Sequence, residues 1–210
     1  MAVHIYCMGL QDRSDRVRWL LEELQVPYEN HFLSRKKGEL NTDEYRALNP
    51  MGRVPTIRDQ DLVLHESVGI CLHLADRYQA HQKLAPEINS HERALYYQWM
   101  VFSVGSLEAV VARMFTFQGK SENEINQIKQ QVQEQCEIFK KVLNPILSKQ
   151  EYILPSGFSA ADIMLSAVIP GAWDYLVKNN PPIEKYMDRL MSRPCAVKAK
   201  VFETPDMTNA

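Results

Sequence analysis

One stretch in the first third of the chain carries most of its information about fold and function, and it reads Asn49-Pro50-Met51-Gly52-Arg53-Val54-Pro55-Thr56-Ile57. Asn-Pro and Met-Gly are turn signals, and the residues after them predict the opening of a strand. Proline gives no N–H to a β-ladder, so Pro55 belongs at the start of that strand, and a cis bond before it would turn the chain sharply. Val54 would then keep its N–H and C=O unpaired and free to bond an extended ligand backbone. The stretch therefore predicts a binding edge for a peptide-like ligand.

Glu66 and Ser67 add a second half to this site. Apolar residues from Val68 to Ala75 follow at helical spacing, so a helix begins near Glu66. The N–H groups of its first turn and the positive end of its dipole favour a carboxylate, to which the Ser67 hydroxyl adds a bond. The Glu66 side chain could hold a neighbouring ammonium, so the predicted ligand has an amino-acid end. Alternatively, the pair only caps the helix, and Val54-Pro55 is an ordinary loop.

These motifs and the upstream run Arg16-Val17-Arg18-Trp19-Leu20-Leu21-Glu22-Glu23-Leu24 resemble the cytosolic glutathione transferase family, and most closely its bacterial and fungal members. The resemblance spans nearly the whole chain. In that family an N-terminal thioredoxin-like domain binds glutathione through a Val before a cis-Pro and through a Glu/Gln-Ser pair. The resemblance therefore implies glutathione as co-substrate, with Val54, Pro55, Glu66 and Ser67 as binding residues.

A further cation would hold the remaining carboxylate of such a ligand. Arg53 is the first candidate because it adjoins Val54, with Lys36 or Lys37 as helpers; the alternative is a solvated surface arginine, which is common. The resemblance also implies a hydrophobic electrophile in an apolar pocket between the two domains. Met and Phe at helical spacing more often form core than pocket. The candidate lining residues are Met8, Leu10, Phe102, Ser103, Met114 and Phe117.

Glutathione attacks as a thiolate, and a free thiol has a pKa of about 8.5, so the site needs a donor that stabilises the anion. That donor should lie between the first strand and the first helix, in residues 6–16, where the sequence departs from the commoner family patterns. Ser14 is the predicted catalytic residue, which donates to the thiolate, and Arg13 adds a positive electrostatic field. The alternative is that Ser14 and Asp12 only compete to cap the first helix.

Two other side chains are alternative candidates for the contact with the glutathione sulfur. Tyr6 would serve if the strand register shifted by one, since it otherwise faces away from the side of Cys7. An exposed, acidic Cys7 would instead favour mixed-disulfide chemistry with glutathione.

The composition argues against a nucleic-acid-binding protein, a membrane protein and a metal-binding protein. The 210 residues carry 24 Lys and Arg against 26 Asp and Glu, a net charge of −2, which gives no general attraction for nucleic acid. No run approaches the ~20 apolar residues that cross a bilayer, so we expect a cytoplasmic protein without a membrane partner. The four cysteines are widely spaced, and the six histidines make no metal-binding motif, so no metal is expected.

The order of the patterns predicts an α/β thioredoxin-like domain, βαβαββα, over residues 1–81, a linker over 82–89 and an all-α helical domain over 90–210. In the second half, Ser159 and Asp162 have the spacing of a capping box, with Asp162 reaching back to the start of a helix.

The predicted function is that of a glutathione S-transferase, which moves alkyl or aryl groups onto glutathione in detoxification. Two alternatives stay open: a glutathione-dependent thiol transferase or peroxidase, and a non-catalytic binding or regulatory protein that kept the fold. The resemblance also implies a homodimer.

Overall fold

A four-stranded mixed sheet organises the first part of the chain in this computed structural model, which describes residues 2–203. The strands are β1 (Val3–Cys7), β2 (Tyr28–Phe32), β3 (Thr56–Asp59) and β4 (Leu62–His65). They lie in the order β2-β1-β3-β4, with β1 parallel to β2 and β3 antiparallel to both β1 and β4. Alternate residues of β1 point to opposite faces: Val3, Ile5 and Cys7 are fully buried, whereas His4 and Tyr6 are half-buried.

Three helices accompany the sheet. They are α1 (Ser14–Glu23), α2 (Asp43–Leu48) and α3 (Ser67–Arg77), and a 3-10 turn (Glu39–Asn41) precedes α2. Helices α1 and α3 pack together, while Tyr45 of α2 contacts Tyr6 on the other face of β1. The order βαβαββα confirms the predicted thioredoxin-like domain.

The second part of the chain is helical, as predicted. Its helices are α4 (His91–Phe102), α5 (Ala109–Val111), α6 (Glu122–Leu147), α7 (Ala160–Ser166), α8 (Trp173–Leu176) and α9 (Pro181–Met191), with a π-helical stretch (Ser103–Glu108) and 3-10 turns at Ala112–Phe115 and Ile169–Ala172. The Asp162 carboxylate accepts both the N–H and the hydroxyl of Ser159, at 2.8 and 3.0 Å, so it reaches back as the capping pattern predicts. Among residues 2–203, no helix has the length and apolar character of a transmembrane span.

The chain divides into two units, and the division differs from the predicted domains at the C-terminal end. Residues 85–192 form one unit, while the described residues from Arg193 onward belong with the sheet. The helix α10 (Pro194–Lys198) packs on α1, and the Arg193 guanidinium donates to both oxygens of Glu23 at 2.7 and 2.8 Å. This bidentate pair fixes the segment on α1, whereas the sequence pattern predicted that all of 90–210 belongs to the helical domain.

Candidate functional site

The bond between Val54 and Pro55 is cis, as the family resemblance predicts. Pro55 is buried, and Val54 is half-buried just before β3 begins. Among the residues that the structure describes, no hydrogen bond engages the main-chain N–H or C=O of Val54. Val54 therefore offers an unpaired donor and acceptor at the edge where an extended peptide could bind.

A buried hydrogen-bond cluster holds the chain in place before Val54. The main-chain oxygen of Arg53 accepts the Tyr45 hydroxyl at 2.5 Å and the Asn49 side-chain amide at 2.9 Å. Asn49, only 1% exposed, also donates to the Thr56 hydroxyl at 3.0 Å. Tyr45 was not predicted from the sequence, because its role depends on α2 lying against the turn rather than on any local motif.

Gly52 is required by the shape of the same turn. Its φ is +60°, and a Cβ atom there would lie 2.7 Å from the main-chain oxygen of Leu40. A larger residue would meet both the unfavourable dihedral and the clash, so Gly52 sets the approach of the chain to Val54.

Glu66 and Ser67 lie where the sequence predicts, at the N-terminus of α3. Glu66 is exposed and has a φ of +73°, an unusual conformation of the kind that costs about 1–3 kcal/mol and gathers at ligand sites. It makes no side-chain cap, and the first turn of α3 contains no acidic residue, whereas Thr42 and Ser90 cap α2 and α4. The first main-chain bond of α3 is Ile70 N–H to Glu66 C=O, at 2.9 Å. The earlier N–H groups of α3 are therefore available to an anion.

Arg16 brings a buried positive charge to this helix end. It is 4% exposed, and its Nη1 lies 3.5 Å from the hydroxyl oxygen of Ser67, which is itself buried. A guanidinium beside spare helix N–H groups strengthens the preference for a carboxylate. Arg16 was not predicted as a site residue; the sequence feature that could have indicated it is a cation within the apolar pattern of α1.

The cations proposed from the sequence have exposed side chains. Within residues 2–203, no hydrogen bond or ion pair engages the charged groups of Arg53, Lys36 and Lys37. Arg53 adjoins the unpaired main chain of Val54 in sequence. It can therefore meet a ligand carboxylate without breaking an existing contact.

Asp12 organises the loop between β1 and α1. Its Oδ2 accepts the N–H groups of Met8 and Gly9 at 2.7 and 3.2 Å, and its Oδ1 accepts the Ser14 N–H at 2.6 Å. Ser14 is fully buried, and its hydroxyl also donates to Asp12. Asp12 thus closes the loop before α1, and the Ser14 hydroxyl can reach a ligand sulfur only by exchanging this bond.

The next turn of this region contains a buried ion pair. Asp15 accepts the Gln11 N–H at 2.9 Å and pairs with Arg18, which also donates to the Gly9 main-chain oxygen at 2.6 Å. Burial raises the pKa of Asp15 to about 7, although Arg18 opposes the shift.

Cys7 and Tyr6 differ sharply as alternative sulfur contacts. Cys7 is fully buried, and burial is the main cause that raises the pKa of its thiol to about 11, with Arg18 opposing. The thiol is therefore protonated at neutral pH, which disfavours mixed-disulfide chemistry. Tyr6 lies on the opposite face of β1, as its register predicts, where its ring stacks on His31 with centroids 4.9 Å apart.

Comparison with known proteins identifies the family. The family model described as "Glutathione S-transferase, N-terminal domain" matches residues 13–77. The glutathione S-transferase GstA of Escherichia coli O157:H7 is 32% identical over 164 residues, which cover 76% of this chain and 78% of the relative. The chain belongs to the glutathione S-transferase family. Another family relative, the glutathione S-transferase hmp2 of Hypomyces subiculosus, is 26% identical and covers 95% of this chain and 98% of its own length.

Solved structures agree on the architecture of this family member. The glutathione transferase URE2P6 of Phanerochaete chrysosporium, solved in complex with oxidized glutathione, has a TM-score of 0.80 and 25% identity and covers 94% of each chain. A glutathione transferase homolog of Lodderomyces elongisporus, solved with two GSH per subunit, has a TM-score of 0.83 and 22% identity over 95% of this chain and 97% of its own. The latter likeness supports the fold alone.

The residues predicted to line an electrophile pocket occupy both units of this glutathione S-transferase family member. Met8 and Leu10 are half-buried in the first unit. In the second unit, Phe102 packs edge-on against Phe139 with centroids 5.5 Å apart, and Ser103 is buried with its hydroxyl donating to a main-chain oxygen. Met114 and Phe117 are half-buried. The pocket itself stays a prediction.

Proposed function

We propose that the chain binds glutathione and activates its thiol for attack on a hydrophobic electrophile. One observation carries the proposal: within residues 2–203 the main chain of Val54 has no hydrogen-bond partner beside the cis bond to Pro55, and the N-terminus of α3 has no side-chain cap. Together these features offer a strand edge and an anion site, which are the two elements that a peptide with an α-carboxylate requires.

Each part of glutathione has a complementary group. The cysteinyl main chain pairs with the N–H and C=O of Val54, as an added strand would. The γ-glutamyl carboxylate binds the N–H groups of α3 with Ser67, and the charge of Arg16 supports it. Glu66 holds the ammonium, and Arg53 holds the glycine carboxylate.

Thiol activation is assigned to Ser14. In this role its hydroxyl leaves Asp12 and donates to the sulfur, which favours the thiolate; each unit by which the thiol pKa falls corresponds to about 1.4 kcal/mol. The helix dipole of α1 acts in the same direction.

A second candidate function is glutathione binding without turnover. It is favoured by the same loop, because Asp12 already occupies the N–H groups of Met8 and Gly9 and holds the Ser14 hydroxyl. A thiol transferase that uses Cys7 is disfavoured, since that thiol is buried and its pKa is raised to about 11.

Calorimetry with glutathione tests the binding half of the proposal. Ser67→Ala removes one hydrogen bond worth about 1 kcal/mol and should weaken binding roughly fivefold. Arg53→Gln removes a charge-assisted bond and should weaken it by about tenfold or more. The matched control is Ser192→Ala, since Ser192 is an exposed serine that should leave the affinity unchanged. Absence of heat from wild-type protein at millimolar glutathione would reject the proposal.

Conjugation of chlorodinitrobenzene and a panel of other electrophiles tests the catalytic half. Ser14→Ala should lower kcat and shift its pH profile towards alkaline pH while the glutathione affinity stays constant. Unchanged rates would remove Ser14 as the donor. Binding by wild-type protein without turnover on the whole panel would favour the second candidate.

The assembly and location are part of the same proposal: a homodimer in the cytoplasm. Light scattering on the full chain measures the mass of the particle, and a monomeric mass would contradict the dimer. Fractionation of the source cells tests the location.

A further inference from the structure

His4, Glu29 and His31 bring three potential metal ligands together on one face of the sheet. Their ligand atoms all lie within 4.8 Å of one another, and this is the one such group of three among residues 2–203. The register of the parallel strands explains it, because His4 pairs with Glu29 and Tyr6 pairs with His31. Residues that pair across adjacent strands point to the same face, and so do residues two positions apart on one strand. The side chains of His4, Glu29 and His31 therefore converge.

The distances suit a small divalent metal ion. The Nδ1 of His4 lies 2.9 Å from the Nε2 of His31 and 3.6 Å from a carboxylate oxygen of Glu29. Zinc binds nitrogen and oxygen at about 2.0–2.2 Å, and tetrahedral ligands at that radius are about 3.3 Å apart. The two measured separations bracket this value, so side-chain adjustments alone would let all three groups reach one ion.

The surroundings hold one imidazole in place and leave the site open. The ring of His31 stacks on Tyr6, which limits its rotation. The side chains of His4 and Glu29 are 28% and 62% exposed, so an ion can enter from solvent. Arg58 lies opposite His4 in the β1–β3 register, and its charge opposes a cation and limits the affinity.

We propose that His4, Glu29 and His31 form a binding site for a divalent transition metal ion such as Zn²⁺. Two imidazoles and one carboxylate are the ligand set of several three-ligand zinc and iron sites, in which the remaining positions are taken by water or a further ligand. The ion would replace the proton shared between the two imidazoles. The proposal replaces the sequence-based expectation of no metal, and it does not depend on the proposed glutathione chemistry.

Titration of the metal-free full chain with Zn²⁺ tests the site, in the absence of glutathione and of any histidine tag. We expect one Zn²⁺ per chain. His31→Ala should weaken binding by at least about tenfold, since even substitutions outside the ligand shell cost roughly 10–100-fold. Glu29→Gln should weaken it severalfold; because Glu29 is exposed, this variant decides the question even if His31→Ala does not fold. The matched control is His65→Ala, an exposed histidine on β4, which should bind as wild type does.

Spectroscopy of the Co²⁺ form identifies the ligands independently. Nitrogen and oxygen ligands should give visible d–d bands that His31→Ala and Glu29→Gln alter. A thiolate charge-transfer band would place the metal on a cysteine and overturn the proposal. Equal Zn²⁺ isotherms for wild type, His31→Ala and Glu29→Gln would also overturn it, leaving an ordinary hydrogen-bonded histidine pair.

Discussion

Replacement of Asp162 by alanine tests how far the second unit depends on one carboxylate. Asp162 is fully buried. Its Oδ1 accepts the Ile153 N–H at 2.8 Å and the Tyr186 hydroxyl at 3.0 Å, and its Oδ2 accepts the N–H and hydroxyl of Ser159 at 2.8 and 3.0 Å. One side chain therefore joins the preceding loop, the start of α7 and helix α9.

The expected loss follows from the groups that alanine would leave without an acceptor. Two buried main-chain N–H groups would lose their partner, and each such loss costs about 1–3 kcal/mol. Burial raises the pKa of Asp162 to about 6, so the wild-type protein carries a desolvation cost at neutral pH that alanine removes. The balance predicts a loss of about 2–4 kcal/mol, a large share of the 5–15 kcal/mol typical of a domain.

Urea unfolding at neutral pH, followed by near-ultraviolet circular dichroism, measures the loss. Tyr186→Phe removes one hydrogen bond and should cost about 0.5–1.5 kcal/mol. The matched control is Asp188→Ala, because Asp188 is an exposed aspartate of α9 and should change the free energy of unfolding by less than about 0.5 kcal/mol. If Asp162→Ala lost no more stability than Asp188→Ala, the reasoning from buried unsatisfied donors would be refuted.

Three further predictions follow from local features. Gly52→Ala should lower the melting temperature more than Gly38→Ala, because both positions have positive φ but only Gly52 has a main-chain oxygen 2.7 Å from the added Cβ; equal shifts would contradict the clash. Burial raises the pKa of Asp15 to about 7 and that of Asp162 to about 6, from 3.8, so the stabilising protonated forms are lost as pH rises through these values. The free energy of unfolding measured in urea should therefore fall between about pH 4 and pH 7, and a rise would contradict the assignment. Cys7 should resist iodoacetamide in the folded protein at neutral pH and react after unfolding, because burial raises its pKa to about 11; peptide mass spectrometry that finds native Cys7 alkylated would refute this.

Local patterns were sufficient for the fold and for much of the geometry of the proposed glutathione site. Alternation in β1, the turn before Val54 and the helical spacing after Glu66 each involve neighbours in sequence, and the structure confirms the order of the elements and the helix start. The cis bond, which the structure also confirms, was implied by the family resemblance. The cap formed by Asp162 was predictable for the same reason.

Features that join distant parts of the chain were not predictable. His4 and His31 are 27 residues apart and meet only because β1 and β2 pair in a particular register. The contact of Arg16 with Ser67 depends on how α1 packs against α3. Arg193 likewise pairs with Glu23, although the chain contains many other acidic residues. The composition alone does not indicate which of them Arg193 contacts.

The loop between β1 and α1 was open to two interpretations for a different reason. Asp12 and Ser14 are close in sequence, and either could cap the first helix. In the structure the N-cap position of α1 is Arg13, and the Asp12 carboxylate closes the loop instead, because it accepts several donors at once: the N–H groups of Met8, Gly9 and Ser14. The bonds that close the loop therefore use the donors that a bound thiolate would need. Under the proposed function, activation of glutathione would depend on the strength with which Asp12 holds its own loop, and this competition between neighbours cannot be ranked from residue types alone.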